Sequence, residues 1–161
     1  MPEPCDTAGR LTLFLRTMST SPRLLHATTD AELQACFGLM RELRPHLDRP
    51  DDFVTRCRRQ QAQDWHLLAA WEDDTPVALA GYRFQENMIY GPFVYVDDLV
   101  VSAPQRGAGW GATLLTEVAR IAREYACARL VLDTGLANSL AQRFYFRQGL
   151  LTSAIRFGQD L

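Results

Sequence analysis

The chain has 161 residues, a formal charge of −2, and 47% apolar against 22% charged residues, which is the length of one domain and a globular balance, not that of a disordered chain. Seventeen Lys+Arg against nineteen Asp+Glu give no global basic footprint for a nucleic-acid partner, and no uncharged apolar run approaches the ~18 residues of a membrane-spanning helix. The four cysteines, Cys5, Cys36, Cys57 and Cys127, form no C-x-x-C pair, and the three histidines, His26, His46 and His66, follow no ligand spacing, so separate thiols in a reducing cytosol and no metal are expected.

Glu3, Asp6, Arg10 and Arg16 surround a short apolar patch, Leu11–Leu15, with no small-residue cleavage site after it. Residues 1–21 are expected to be a flexible extension, with Met18 as a second candidate start, and 22–161 one domain. Arg23–Thr28 reads as a first strand. Thr29 and Asp30 offer N-cap oxygens to a helix carrying Leu33, Cys36, Phe37, Met40 and Leu43 at helical spacing, stopped by Pro45. A second, largely solvated helix opens at Asp51 or Asp52 and runs to about Gln63. His66–Trp71 and Val77–Phe84 read as strands joined by a polar turn. Gln85–Pro92 reads as a loop and Phe93–Val101 as a long β-run. Gly111, Leu115, Val118 and Ala122 share one face of the next helix. Leu130–Leu132 reads as a strand buried on both faces. Asn138 can cap a last helix bearing Leu140, Ala141, Phe144 and Tyr145, which Gly149 stops, and Ser153–Phe157 reads as a tail strand.

The most informative segment runs from Phe93 through Arg106-Gly-Ala-Gly-Trp-Gly111 to Ala112. A β-run feeds a glycine-rich turn that opens an amphipathic helix. Glycines let backbone N–H groups point inward, and the helix N-terminus adds partial positive charge, so the turn suits a phosphate or pyrophosphate, with Arg106 as a charge-assisted donor. Gly107-x-Gly109-x-x-Ala112 also fits a degenerate dinucleotide fingerprint, with Asp133 where a ribose-binding acid belongs. An oxidoreductase on that pattern would need further β-α units after the fingerprint, and the chain has no room for them. No G-K-[ST] follows the glycines, which excludes a nucleoside-triphosphate loop.

Arg106-Gly-Ala-Gly-Trp-Gly111 resembles the R/Q-x-x-G-x-G/A motif of the GNAT family of N-acetyltransferases, and Asn138, Ala141, Phe144-Tyr145 and Gly149 resemble that family's second motif. The resemblance covers about 23–161 and is specific over 93–150. It implies an α/β fold, a single mixed sheet of six or seven strands with helices on both faces. It also implies acetyl-CoA as co-substrate, its pyrophosphate on Arg106, Gly107, Ala108, Gly109, Trp110 and Gly111, its pantetheine arm along Leu99, Val100 and Val101, and Asn138 nearby. Trp110 departs from the aliphatic residue usual between the motif glycines.

The same resemblance places Tyr145 where the family keeps a general acid for the departing thiolate, and Tyr95 or Asp97 where members carry a base. Alternation puts Tyr95, Asp97, Leu99 and Val101 on one face and Val94, Val96, Asp98 and Val100 on the other, unless a bulge intervenes. Tyr95-Val-Asp-Asp-Leu-Val-Val101 is also similar to a stretch of the diamine acetyltransferases, in which the first acid is base and amine anchor; this assigns Asp97 that role. Asp98 is expected to be structural, or to exchange roles with Asp97, and Glu86 to add to a field favouring a cationic acceptor. Transfer of an acetyl group to a primary amine by direct attack in a ternary complex is thus the expected activity, a CoA-sensing domain without turnover its rival. A cytoplasmic setting and a homodimer complete the expectations.

Overall fold

In the computed structural model, which describes residues 23–161, the chain forms β1 (Arg23–His26), α1 (Asp30–Leu43), α2 (Pro50–Gln61), β2 (Trp65–Glu72), β3 (Thr75–Asn87), β4 (Gly91–Val101), α3 (Trp110–Glu124), β5 (Arg129–Leu132) and α4 (Ser139–Arg147). The extension expected over 1–21 lies outside the described residues. One sheet runs in the order β1-β2-β3-β4-β5. Its first four strands are antiparallel, and β5 returns parallel to β4 after α3.

Period-two alternation divides the apolar side chains between two cores. On β2, Leu67, Ala69 and Trp71 join Leu33, Cys36 and Phe53 beneath α1 and α2, whereas Leu68 and Ala70 join Leu114 and Val118 of α3 on the opposite face. Helices therefore cover both faces, as expected. The start of α1 is fixed by a capping box: Glu32 N–H donates to Thr29 Oγ1 at 3.2 Å, and Thr29 N–H donates to the Glu32 carboxylate at 2.8 Å. Two orphan donors are satisfied by side chains of the same turn.

Four expectations are corrected. The sheet has five strands among the described residues, not six or seven, because 148–161 adds none. In the tail strand expected over Ser153–Phe157, Ile155 and Phe157 are 68% and 90% exposed; with so few apolar side chains and no second layer to bury them, ordering the segment gains too little. β5 is the edge of the sheet, and its apolar side chains are half-buried, not enclosed on both faces. The segment Gln85–Pro92 is mostly strand, since β3 and β4 continue into a tight hairpin. There Asn87 Oδ1 accepts from the N–H groups of Ile89 and Tyr90 at 2.9 and 2.8 Å, an Asx turn that replaces a longer loop.

Candidate active site

The register of β3 on β4 slips once. Gly81 pairs with Asp98 and Tyr82 with Val96, so Asp97 is the extra residue of a β-bulge. The bulge overturns the simple alternation: Leu99 and Val101 join Val94 and Val96 on the α3 face, while Val100 enters the core under α1 and α2. Asp97 and Asp98, expected on opposite faces, both line one cavity of about 360 Å³ on the α1–α2 side, together with Tyr95, Asp133, Trp65 and Arg156.

Each aspartate of the bulge has its own arginine. Arg83 Nε donates to Asp97 Oδ2 at 2.8 Å while its Nη2 donates to Gln60 Oε1 at 2.8 Å. Arg44, the residue that closes α1, donates from Nε to Asp98 Oδ1 at 2.8 Å and from Nη2 to the Asp97 carbonyl at 3.0 Å. Gly81 leaves room for this arrangement, because a Cβ there would meet Asp98 Oδ2 and the Trp65 ring, each at 3.0 Å. Burial raises the Asp97 carboxyl above its ordinary range, and the hydrogen bond from Arg83 only partly opposes it. At the end of β5, Tyr95 Oη donates to Asp133 Oδ2 at 2.5 Å, and Arg156 pairs with the same carboxylate. Burial, then that hydrogen bond, pushes the Tyr95 phenol up to about 12.

Past Val96 the parallel pair parts. Its register ends at Val96↔Leu132, and β4 continues to Val101 with no strand beside it on that edge among the described residues. Leu99, Val100 and Val101 therefore carry main-chain groups that an extended amide-bearing chain can pair with. Ser102 N–H ties the end of β4 to the Val77 carbonyl at 2.9 Å, and a single 3-10 turn, Ala103–Gln105, leads to the glycines. Gly107 and Gly109 stand at φ +88 and +92, left-handed values that favour glycine. Gly109 is the N-cap of α3, which has neither a side-chain cap nor an acid in its first turn. The positive end of the helix dipole is thus open to an anion. Arg106 stands at this end, with Nε on the Val101 carbonyl at 3.3 Å and Nη2 3.5 Å from Glu42.

Other members of the predicted set take more local positions. The Ala108 N–H is already spent on the Gln105 carbonyl at 3.2 Å. A Cβ on Gly111 would meet Phe144 Cζ at 3.0 Å, so this glycine lets α4 pack on α3. Trp110 packs half-buried beside the α3 core. Asn138 Oδ1 caps α4, accepting from Ala141 N–H at 3.2 Å. Tyr145 packs by its ring on the same core, and burial, with Asp133 adding to it, holds its phenol above the ordinary value. Glu86 is exposed at the end of β3 and does not line the cavity. Sequence reasoning does not reach Arg44, Arg83 and Arg156, and takes Asp133 only as a residue where a ribose-binding acid belongs. Asp133 and Arg156 are 23 residues apart, and nothing local in the sequence joins them.

The acetyltransferase (GNAT) family matches residues 29–150. An uncharacterized N-acetyltransferase of Bacillus subtilis (strain 168), YhdJ, is 30% identical over 119 residues, covering 73% of this chain and 83% of that protein. The aminoglycoside N(6′)-acetyltransferase type 1 of Serratia marcescens is 26% identical over 106 residues, 62% of this chain and 73% of the relative. Among solved structures, aminoglycoside N-acetyltransferase AAC(6′)-Iy in complex with CoA superposes with a TM-score of 0.77 at 18% identity, covering 87% of this chain and 95% of that one. The chain therefore belongs to the GNAT acetyltransferase family, acyltransferases that use acetyl-CoA.

Proposed function

We propose that the protein acetylates a primary amine, a small or polyamine-like acceptor, by direct attack on acetyl-CoA in a ternary complex. The observation that carries this reading is the bulge, which turns both Asp97 and Asp98 into one cavity beside the parting of β4 and β5. An alkylammonium titrates near the lysine value of about 10.4, so at neutral pH it needs both an anion to bind it and a base to free its lone pair. Asp97 is assigned both tasks. Its Oδ2 is on Arg83, and its Oδ1 bonds to no described residue. Asp98 is taken up by Arg44 on one oxygen, and its other oxygen occupies the space a Cβ on Gly81 would need, which supports a structural role.

In this scheme Asp97 takes a proton from the bound ammonium, and the freed lone pair attacks the thioester carbonyl. The C–S bond breaks as Tyr145 protonates the departing thiolate, and the second proton of the nitrogen leaves to solvent, which reprotonates Tyr145 and relieves Asp97 of its proton. A phenol whose pKa is raised by burial stays protonated at neutral pH, as a donor must. The uncapped start of α3 and Arg106 hold the pyrophosphate, and Leu99–Val101 the pantetheine arm. The similarity of the bulge segment to diamine acetyltransferases supports a polyamine-like acceptor, and the aminoglycoside acetyltransferases among the relatives act on amino-bearing sugars by name. Free Cys36, Cys57 and Cys127 support a reducing, cytoplasmic setting. The exposed Leu151, Ile155 and Phe157 support a homodimer, which a single-chain mass by light scattering would remove.

The test is thiol release from acetyl-CoA across a panel of amines. Asp97→Asn should lower kcat/KM for amine by ~10²-fold and be partly rescued at high pH, where the acceptor arrives deprotonated. A loss confined to Asp98→Asn would transfer the role to the neighbouring carboxylate. Full activity in both variants would remove the aspartates from the chemistry.

A further inference from the structure

The cavity holds three carboxylates, and each faces an arginine. Asp97 and Asp98 are paired with Arg83 within β3 and Arg44 at the end of α1, residues fixed by the sheet and by helix packing. Asp133, just past β5, is paired instead with Arg156. Arg156 belongs to 148–161, which forms no helix or strand. Its guanidinium donates to Tyr95 Oη at 3.0 Å and lies 5.9 Å from the centroid of that ring. The pair is also the open one: its side chains are 72% and 44% exposed, against 21% and 23% for Arg83–Asp97. An ion pair in contact with water adds little and exchanges readily, whereas an enclosed one is costly to break. Asp133 is thus the carboxylate that can change its cation. The same cavity also holds an unmet donor: Trp65, 2% exposed, has an indole N–H without a partner among the described residues.

We propose that Arg156 is an internal stand-in for a second cationic group of the acceptor. An amine with two or more ammonium groups displaces it from Asp133 and Tyr95 and docks its distal ammonium there, while a monoamine leaves it in place. The proposal rests on the amine-acetylating reading of this cavity. Tyr95 suits the exchange, since its hydroxyl steadies the Asp133 carboxylate and its ring offers a π face to whichever cation is present. Displacing Arg156 lowers the apparent affinity for such acceptors by the fraction of molecules in which the tail is docked.

The experiment compares KM for 1,4-diaminobutane with KM for butylamine in the full chain. Arg156→Gln should lower the diamine-to-monoamine KM ratio about three- to fivefold, the weight of an exposed ion pair. Asp133→Asn should raise that ratio, and in the double variant the Arg156→Gln gain should vanish. A ratio that Arg156→Gln leaves unchanged or raises overturns the proposal. If no amine releases thiol from acetyl-CoA, the acetylation reading fails by itself, and calorimetric binding of 1,4-diaminobutane decides: tighter binding to Arg156→Gln supports the displacement, equal or weaker binding refutes it.

Discussion

The glycine turn and the charged cavity are built from different material. At the β4–α3 turn the groups proposed to meet the ligand are main-chain N–H groups and a helix dipole, arranged by two left-handed glycines within one short stretch of chain. In the cavity they are side chains from α1, α2, β2, β4, the turn after β5 and the tail, paired across as many as 61 residues of sequence. A main-chain site depends on backbone conformation and is nearly blind to the side chains around it. A side-chain site depends on the register of every element that contributes to it. If the division is sound, substitutions in one region should move the constants of one substrate and leave those of the other.

Tyr145 gives the largest expected effect, because it belongs to neither binding region. Tyr145→Phe keeps the ring on the α3 core and removes the hydroxyl, so kcat should fall ~10²–10⁴-fold while acetyl-CoA binding stays near wild type. A parallel rise in the acetyl-CoA KM would make the tyrosine part of the cofactor grip and blur the comparison. Gly109→Val comes next. A β-branched residue at φ +92 is strained and places its side chain over the helix end, so acetyl-CoA affinity should fall by about a hundredfold. Amine binding, read by calorimetry, should be unaffected. Arg106→Ala should raise the KM for acetyl-CoA about tenfold, at the lower end for a charged hydrogen bond, because Arg106 must first leave Glu42. Unchanged affinity would remove Arg106 from the pyrophosphate site.

The same division explains what the sequence could disclose. The glycine turn was legible because its geometry is local: each glycine needed for a left-handed φ or a close approach is spelled out between Arg106 and Gly111. The α1 and α4 caps were legible for the same reason, Thr29 and Asn138 lying within three residues of the N–H groups they accept from. The cavity was not. Two adjacent aspartates read as opposite faces under strict alternation, and only the slip between Gly81 and Tyr82 turns them together. The one local mark of that slip is Gly81, a glycine inside a strand where a Cβ would meet Asp98 and Trp65. The strand count failed for a related reason. The tail has β-branched and aromatic residues, but whether it becomes a strand depends on what covers it, and Ile155 and Phe157 are uncovered.

The smallest expected effect concerns a third cluster, away from both regions, and shows whether the α3 core is independent of the site. His26 and His66 stand 6.0 Å apart between ring centroids, with His26 Nε2 hydrogen-bonded to Tyr82 Oη at 2.8 Å. Burial first, then the charge of His66, lowers the pKa of His26, and burial likewise lowers that of His66. In the unfolded chain both titrate near 6.5. Above that pH the rings are neutral in both states and add no pH dependence. As the pH falls through about 6.5 the unfolded chain takes up protons first, so stability decreases, and the decrease ends once the pH is below the folded values. Urea midpoints should therefore fall between about pH 7.5 and pH 5.5, and His26→Gln with His66→Gln should flatten that fall. Acetyl-CoA and amine KM values, taken at about pH 7.5 where both rings are neutral, should be the same in the double variant as in the wild type. A midpoint that is flat across this range in the wild type would mean that the pair takes up protons in the fold at the same pH as in the unfolded chain, and a shifted amine KM would mean that the α3 core and the cavity are coupled through the sheet.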